Sequence, residues 1–191
     1  MGKTCTKISR RYERKRKLGE QETRDCFQSF ARKVQEIEKE NVSITAEFIT
    51  SSLNCSPNFV GCYAEDQVEH LKITSFPCFL IVNIDSSELP GSHWIGLGIF
   101  QDKIEIFDSL GFNIFNWSRI PCSLLNFLHT LSVTRTVAIN PRLQSDESKF
   151  CGLFSIFYVL KRATQSFTEV FAPFDLINLE SNDCILLSLL K

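Results

Sequence analysis

The chain has 191 residues, 43% of them hydrophobic and 23% charged, with 17 Phe against 8 Gly and 6 Pro, and its formal net charge is −1. That is the size of one domain, or of one domain with a tail, and it carries enough apolar side chain for one sizeable core, which excludes collagen-like and wholly disordered chains. No run of about 18 apolar residues occurs and no apolar stretch follows the basic N-terminus, so neither a spanning helix nor a secretory signal is expected, and the protein is expected to begin in the cytosol.

The small net charge hides an asymmetry. Residues 1–17 hold Lys3, Lys7, Arg10, Arg11, Arg14, Lys15, Arg16 and Lys17 against Glu13 alone, a local excess of +7 that leaves the remainder at −8. Such a run is a solvated tail, a nuclear import signal (RRYERKRK) or a salt-dependent polyanion contact. Met1-Gly2-Lys3-Thr4-Cys5-Thr6 also satisfies the loose N-myristoylation pattern, with Cys5 and the basic run as a second membrane signal. The expected organisation is a basic flexible tail over 1–19, a helical extension over 20–42 and one domain over 43–191.

In the extension, Phe27, Phe30, Val34 and Ile37 recur at helical spacing, with a charged far side, and predict an amphipathic helix packed on the body. A second short helix is expected from about Thr45 to Leu53, with Ser43 as its cap and Pro57 closing the stretch that follows. Strands follow at CFLIVNI (78–84), WIGLGIF (94–100) and KIEIF (103–107), separated by SSELPGS and by Gln101-Asp102. Residues 122–131 read as a helix and TVAI (136–139) as a strand. After the polar loop NPRLQSDES, CGLFSIFYVLKRAT is apolar on nearly every face, which predicts a helix at the centre of the domain. A last short helix is expected within LINLESNDCILLSLL, capped near Ser181 or Asn182.

Three His and eight Cys are the residues to weigh for chemistry. His70 and His129 have no partner nearby in sequence and read as a solvent-facing and a core-edge residue. The cysteines (Cys5, Cys26, Cys55, Cys62, Cys78, Cys122, Cys151 and Cys184) form no C-x-x-C pair and read by default as small buried hydrophobes of a reduced compartment. No metal site is expected.

His93 differs because its register can be worked out. If Gln101 and Asp102 form a tight turn, Phe100 pairs with Lys103, Asp108 faces Ile95, and His93 lies diagonal to Asp108 on the same face. Diagonal neighbours are about 7–8 Å apart at the backbone, a gap an imidazole and a carboxylate can close. Cys151 supplies a third partner. With Ser148 as N-cap it would be the third residue of the central helix, where unpaired amides and the macrodipole favour a thiolate. Gly152 beside it leaves room for a substrate backbone. Gln144, in the loop before it, carries a side-chain amide that, with the Cys151 N–H, can stabilise the oxyanion formed when a thiolate attacks a carbonyl.

These residues resemble the adenovirus maturation protease (adenain) family and its relatives in other DNA viruses and virus-like elements. NCSPNFVGCY, PCFLIVNIDSSELPGSHWIGLGIF, IEIFDSLGF and LQSDESKFCGLF carry the likeness, in the family's order, within residues 43–160. The resemblance implies an α+β, papain-like cysteine protease fold in circularly rearranged order, a mixed central sheet packed on a central helix that bears the nucleophile. It makes Cys151 the nucleophile, His93 the general base, Asp108 the orienting carboxylate and Gln144 the oxyanion donor, with Trp94 and Gly152 at the substrate. The family often has Glu at the third position, so Asp108 is a departure, shared with SUMO-type deconjugating proteases; Trp94 is common to both groups. The chemistry needs no cofactor. Adenoviral relatives are activated by DNA and by a disulfide-linked viral peptide, but that cysteine would fall near Val133 and no Cys lies between Cys122 and Cys151. The expected function is cleavage of viral precursor proteins at Gly-containing sites in the virion and host nucleus, by a monomer whose tail contacts DNA and not a membrane. The alternatives are a cytoplasmic or membrane-associated location, a deconjugase for ubiquitin-like modifiers, and a silent nucleic-acid-binding or scaffold protein of the same fold.

Overall fold

The computed structural model describes residues 28, 30–32, 34, 44–111 and 120–190. The basic tail and most of the helical extension lie outside them. Phe30 and Val34 are described; both are helical and almost fully buried, in the cluster that also holds Ile49, Leu53 and Phe154. Phe27 and Ile37 lie outside the described residues.

The architecture is α+β. Helix α1 (Ala46–Leu53) leads to strand β1 (Phe59–Ala64), helix α2 (Glu65–Val68), and strands β2 (Cys78–Asn83), β3 (Trp94–Ile99) and β4 (Lys103–Phe107). Helix α3 (Cys122–Ser132), strand β5 (Thr136–Ile139), helix α4 (Cys151–Arg162), helix α5 (Phe167–Phe171), a 3-10 turn (Leu179–Ser181) and helix α6 (Asn182–Leu189) follow. The five strands form one sheet in chain order, with β1·β2 and β4·β5 parallel and the two central pairings antiparallel.

Both faces of the sheet are covered, which is why β2 and β3 are apolar at nearly every position instead of alternating. On β2, Phe79 and Ile81 join the cluster around α4, whereas Cys78, Leu80 and Val82 join the one around α2 and α3 with Leu124, Phe127 and Leu128. Helix α4 is buried from Cys151 through Leu160, the all-round burial its composition requires. At about 1.5–3 kcal/mol for each large apolar side chain, this helix is a principal source of stability.

Close approach of α4 to the sheet depends on β3. Gly96 and Gly98 face the helix, and a Cβ on Gly96 would lie 2.7 Å from the Tyr158 ring; one on Gly98 would overlap the Tyr158 hydroxyl. The Tyr158 ring fills that space and stacks on Phe107 at a centroid distance of 4.8 Å. Opposite Gly98 stands Glu105, fully buried, whose carboxylate accepts from Arg162 Nε (2.7 Å) and Nη2 (3.0 Å) and from the Tyr158 hydroxyl (3.2 Å), with Lys103 Nζ at 2.8 Å. Burial works against the Arg162 charge, but the Glu105 carboxylate outweighs it and raises the guanidinium further above its ordinary range.

Several sequence expectations need correction. The cap of α1 is Thr45, whose hydroxyl accepts the Phe48 N–H at 3.2 Å; Ser43 lies outside the described residues. Strand β1 and helices α2 and α5 were not expected. Cys122 and Cys184 are exposed and Cys55 is disulfide-bonded, so the cysteines are not uniformly buried thiols. His129 is exposed, not at the core edge. No described helix is long and apolar enough to cross a membrane.

Arg162→Ala leaves the buried Glu105 carboxylate with only Lys103 Nζ and the Tyr158 hydroxyl as partners. A loss of about 3–5 kcal/mol of unfolding free energy is expected, measured by urea denaturation; a loss under about 1 kcal/mol would mean the carboxylate is not held as described.

Candidate active site

The Gln101-Asp102 turn closes as expected: Phe100 N–H donates to the Lys103 carbonyl at 2.8 Å, and the pairs Gly96↔Phe107, Leu97↔Ile106 and Gly98↔Glu105 follow from it. His93 precedes β3 by one residue and Asp108 follows β4 by one. Their side chains meet, His93 Nε2 to Asp108 Oδ1 at 2.7 Å, with both residues buried. The loop before His93 is anchored at Asp66, whose carboxylate accepts from the Ser87 N–H and hydroxyl at 2.9 and 2.7 Å.

Asp108 is held on three sides. Its Oδ1 also accepts the Leu110 N–H (2.9 Å), its own N–H donates to Asn140 Oδ1 (2.7 Å), and its carbonyl accepts from Asn140 Nδ2 (2.9 Å). Asn140, 4% exposed and one residue past β5, thus locks the carboxylate's backbone to the neighbouring strand end. Nothing in the sequence marked it, because its bonds bridge residues 32 apart.

Cys151 lies at the first residue of α4, so its N–H is outside the helix's own ladder. It is buried, and its side chain lies close enough to His93 to help raise the imidazole's titration. With Nε2 engaged by Asp108, Nδ1 is the ring nitrogen left for the sulfur. The helix start differs from expectation: Phe150 is the N-cap and no side chain caps it. Ser148 instead donates its hydroxyl to Asp183 Oδ1 (2.8 Å) and accepts the Phe150 N–H (3.3 Å), which places Cys151 two residues nearer the helix end than a Ser148 cap would.

Gln144 is 1% exposed in the loop before α4; its Nε2 donates to the Ser148 carbonyl (2.8 Å) and its Oε1 accepts from the Ser109 hydroxyl (2.5 Å). From the far side, Asn182 at the start of α6 donates Nδ2 to the Leu143 carbonyl at 2.7 Å. Trp94 is buried, donates Nε1 to the Ile44 carbonyl at 3.3 Å, and accepts the Ser155 hydroxyl at its own carbonyl at 3.1 Å. Gly152 is buried too, and a Cβ there would collide with Ile44 and approach Trp94 Cδ1 to 3.2 Å. The glycine is therefore required by packing of this chain.

Burial works against the His93 charge, but the hydrogen bond to Asp108 and the carboxylate's charge, with a contribution from the nearby Cys151 side chain, outweigh it and raise the imidazole to about 9. At neutral pH the ring carries its second proton, the state an imidazolium–thiolate pair requires. Among the described residues, no group of three or more His, Cys, Asp and Glu could hold a metal ion.

No protein-family model matches the chain, and no curated protein matches its sequence. Among solved structures it is similar to the effector protein RavZ of Legionella pneumophila at a TM-score of 0.29 and 12% identity, over 71% of this chain and 52% of that one. The chain spans about half the length of that structure. At this level the likeness bears on neither fold nor chemistry, and function rests on the residues themselves.

Because the folded imidazole titrates near 9 and an unfolded one near 6.5, His93 contributes stability that is fully present below about pH 6.5 and lost as pH rises through 9. Unfolding free energy, referenced to His93→Gln, should fall by on the order of 3 kcal/mol across that window. A flat difference would show that the ring is not held charged.

Proposed function

We propose that this chain is a cysteine endopeptidase, with Cys151 as nucleophile, His93 as acid and base, Asp108 as the carboxylate that orients it, and Gln144 as oxyanion donor. The observation that carries the reading is that a buried imidazole, hydrogen-bonded to Asp108 at 2.7 Å, stands beside Cys151 at the first residue of a helix. A structural His–Asp pair has no need of a cysteine beside it at a helix start.

The chemistry is acyl transfer. The Cys151 sulfur attacks the scissile carbonyl carbon, forming the C–S bond while the carbonyl π pair moves to oxygen. Gln144 Nε2 and the Cys151 N–H stabilise that oxyanion. As the C–N bond breaks, the His93 proton passes to the departing amine. His93, now neutral, takes a proton from water, whose oxygen attacks the thioester carbonyl. Collapse of the second tetrahedral species breaks the C–S bond, releases the acid product and returns sulfur and imidazole to their starting state. Asp108 keeps the ring aligned and compensates its charge without itself taking the proton.

The sequence resemblance supports a papain-like, adenain-like enzyme that cleaves viral structural precursors at Gly-containing sites during virion maturation. In that setting the basic tail would contact DNA or direct nuclear entry. Asp108 favours a second reading, a deconjugase for ubiquitin-like modifiers, because an Asp at this position resembles the SUMO-type proteases, whereas Trp94 is common to both groups. A panel of Gly-Gly reporters on ubiquitin-like modifiers, run beside precursor-derived peptides, separates the two. Cleavage only of intact modifiers supports the deconjugase, and cleavage of peptides supports the endopeptidase.

Cys151→Ala should abolish hydrolysis of every such substrate with the circular dichroism spectrum unchanged; retained turnover defeats the proposal. Asp108→Asn should lower kcat/KM by about 10²–10⁴-fold. Because Asp108 raises the His93 titration, the alkaline limb of the pH profile should also move below 9. An unmoved limb would place the charge of His93 under other control.

A further inference from the structure

The residue after the orienting carboxylate has no assigned role, yet it is fully buried and makes three hydrogen bonds into the loop that carries Gln144. The Ser109 carbonyl accepts the N–H groups of Leu143 and Gln144, both at 2.8 Å, and its hydroxyl donates to Gln144 Oε1 at 2.5 Å. Asp108-Ser109 is therefore one dipeptide with two outputs: the first residue holds the imidazole and the second holds the amide.

A primary amide has one acceptor oxygen and two N–H donors. Here the oxygen is taken by Ser109, and one N–H is taken by the Ser148 carbonyl at 2.8 Å. The second N–H is left for a ligand oxygen. The Ser148 carbonyl cannot donate, so a flipped amide would set two acceptors against each other, and the hydroxyl at Oε1 polarises the amide so that its N–H groups donate more strongly. We propose that Ser109 is a positioning residue for oxyanion stabilisation: its hydroxyl fixes and polarises the Gln144 amide so that the free N–H meets the oxyanion. This rests on the reading of Gln144 as the oxyanion donor given above.

The test is a double-mutant cycle on the full chain with the best reporter substrate. Ser109→Ala should lower kcat by about 10–100-fold with KM changed less than about 3-fold, and Gln144→Ala should lower kcat by about 10²–10³-fold. The double variant should be no slower than Gln144→Ala, since the hydroxyl acts only through that amide. Alkylation of Cys151 by iodoacetamide forms no oxyanion, so its rate should stay within about 2-fold of wild type in Ser109→Ala. Multiplicative losses in the cycle, a parallel fall in alkylation, or full activity of Ser109→Ala would each overturn the proposal.

A second measurement does not depend on turnover. The Gln144 side-chain amide protons, assigned by their loss in Gln144→Ala, should be dispersed and slow to exchange in wild type. In Ser109→Ala they should exchange faster and move toward the shifts of free glutamine; unchanged signals overturn the proposal. If no substrate is cleaved by wild type, the protease reading fails and this measurement alone decides whether Ser109 holds the amide.

Discussion

A two-residue turn at Gln101-Asp102 sets the pairing of β3 with β4, and the site depends on that register. The hydrogen bond from Phe100 N–H to the Lys103 carbonyl closes the turn at 2.8 Å. From there each pairing is forced, out to the strand ends where His93 and Asp108 stand 2.7 Å apart. A slip of one residue would put Phe107 or Ser109 where the carboxylate now stands and turn it to the opposite face. The register is protected by its own packing, since Gly98 must stay opposite Glu105 for Tyr158 and Arg162 to reach that carboxylate.

The same packing delivers the sulfur. Helix α4 approaches β3 closely because Gly96 and Gly98 leave room for Tyr158, and the Ser155 hydroxyl ties the helix to the Trp94 carbonyl at 3.1 Å. Gly152, wedged between Ile44 and Trp94, fixes how near the first turn comes. Stability and chemistry are therefore not separable here: residues that let the helix dock also place Cys151 beside His93. The imidazole, raised to about 9, is the electrostatic consequence of bringing a carboxylate and a sulfur to one buried ring.

The sheet centre and the His93–Asp108 pair were legible in the sequence because a short turn and period-two geometry are local rules. Helix α4 was legible because apolar residues on every face leave it no place but the centre. Strand β1 was not, since FVGCYA is an edge strand with no alternation and a Gly61 at φ 146°. The α4 start was misplaced because Ser148 has the composition of a cap but spends its hydroxyl on Asp183, 35 residues away. Asn140 and Ser109 act through equally long-range bonds, which no local pattern announces. The packing need at Gly152 was illegible for a related reason: the side chain that a Cβ there would meet, Ile44, is far away in sequence.

The central claim is that His93 is a charged ring shared between Asp108 and Cys151. Its most direct test is an NMR titration of the His93 imidazole nitrogens, in wild type and in Cys151→Ala. Both nitrogens should be protonated at pH 7, with a midpoint near 9 in wild type that falls when the sulfur is removed. A neutral wild-type ring at pH 7, or a midpoint indifferent to the sulfur, would contradict it.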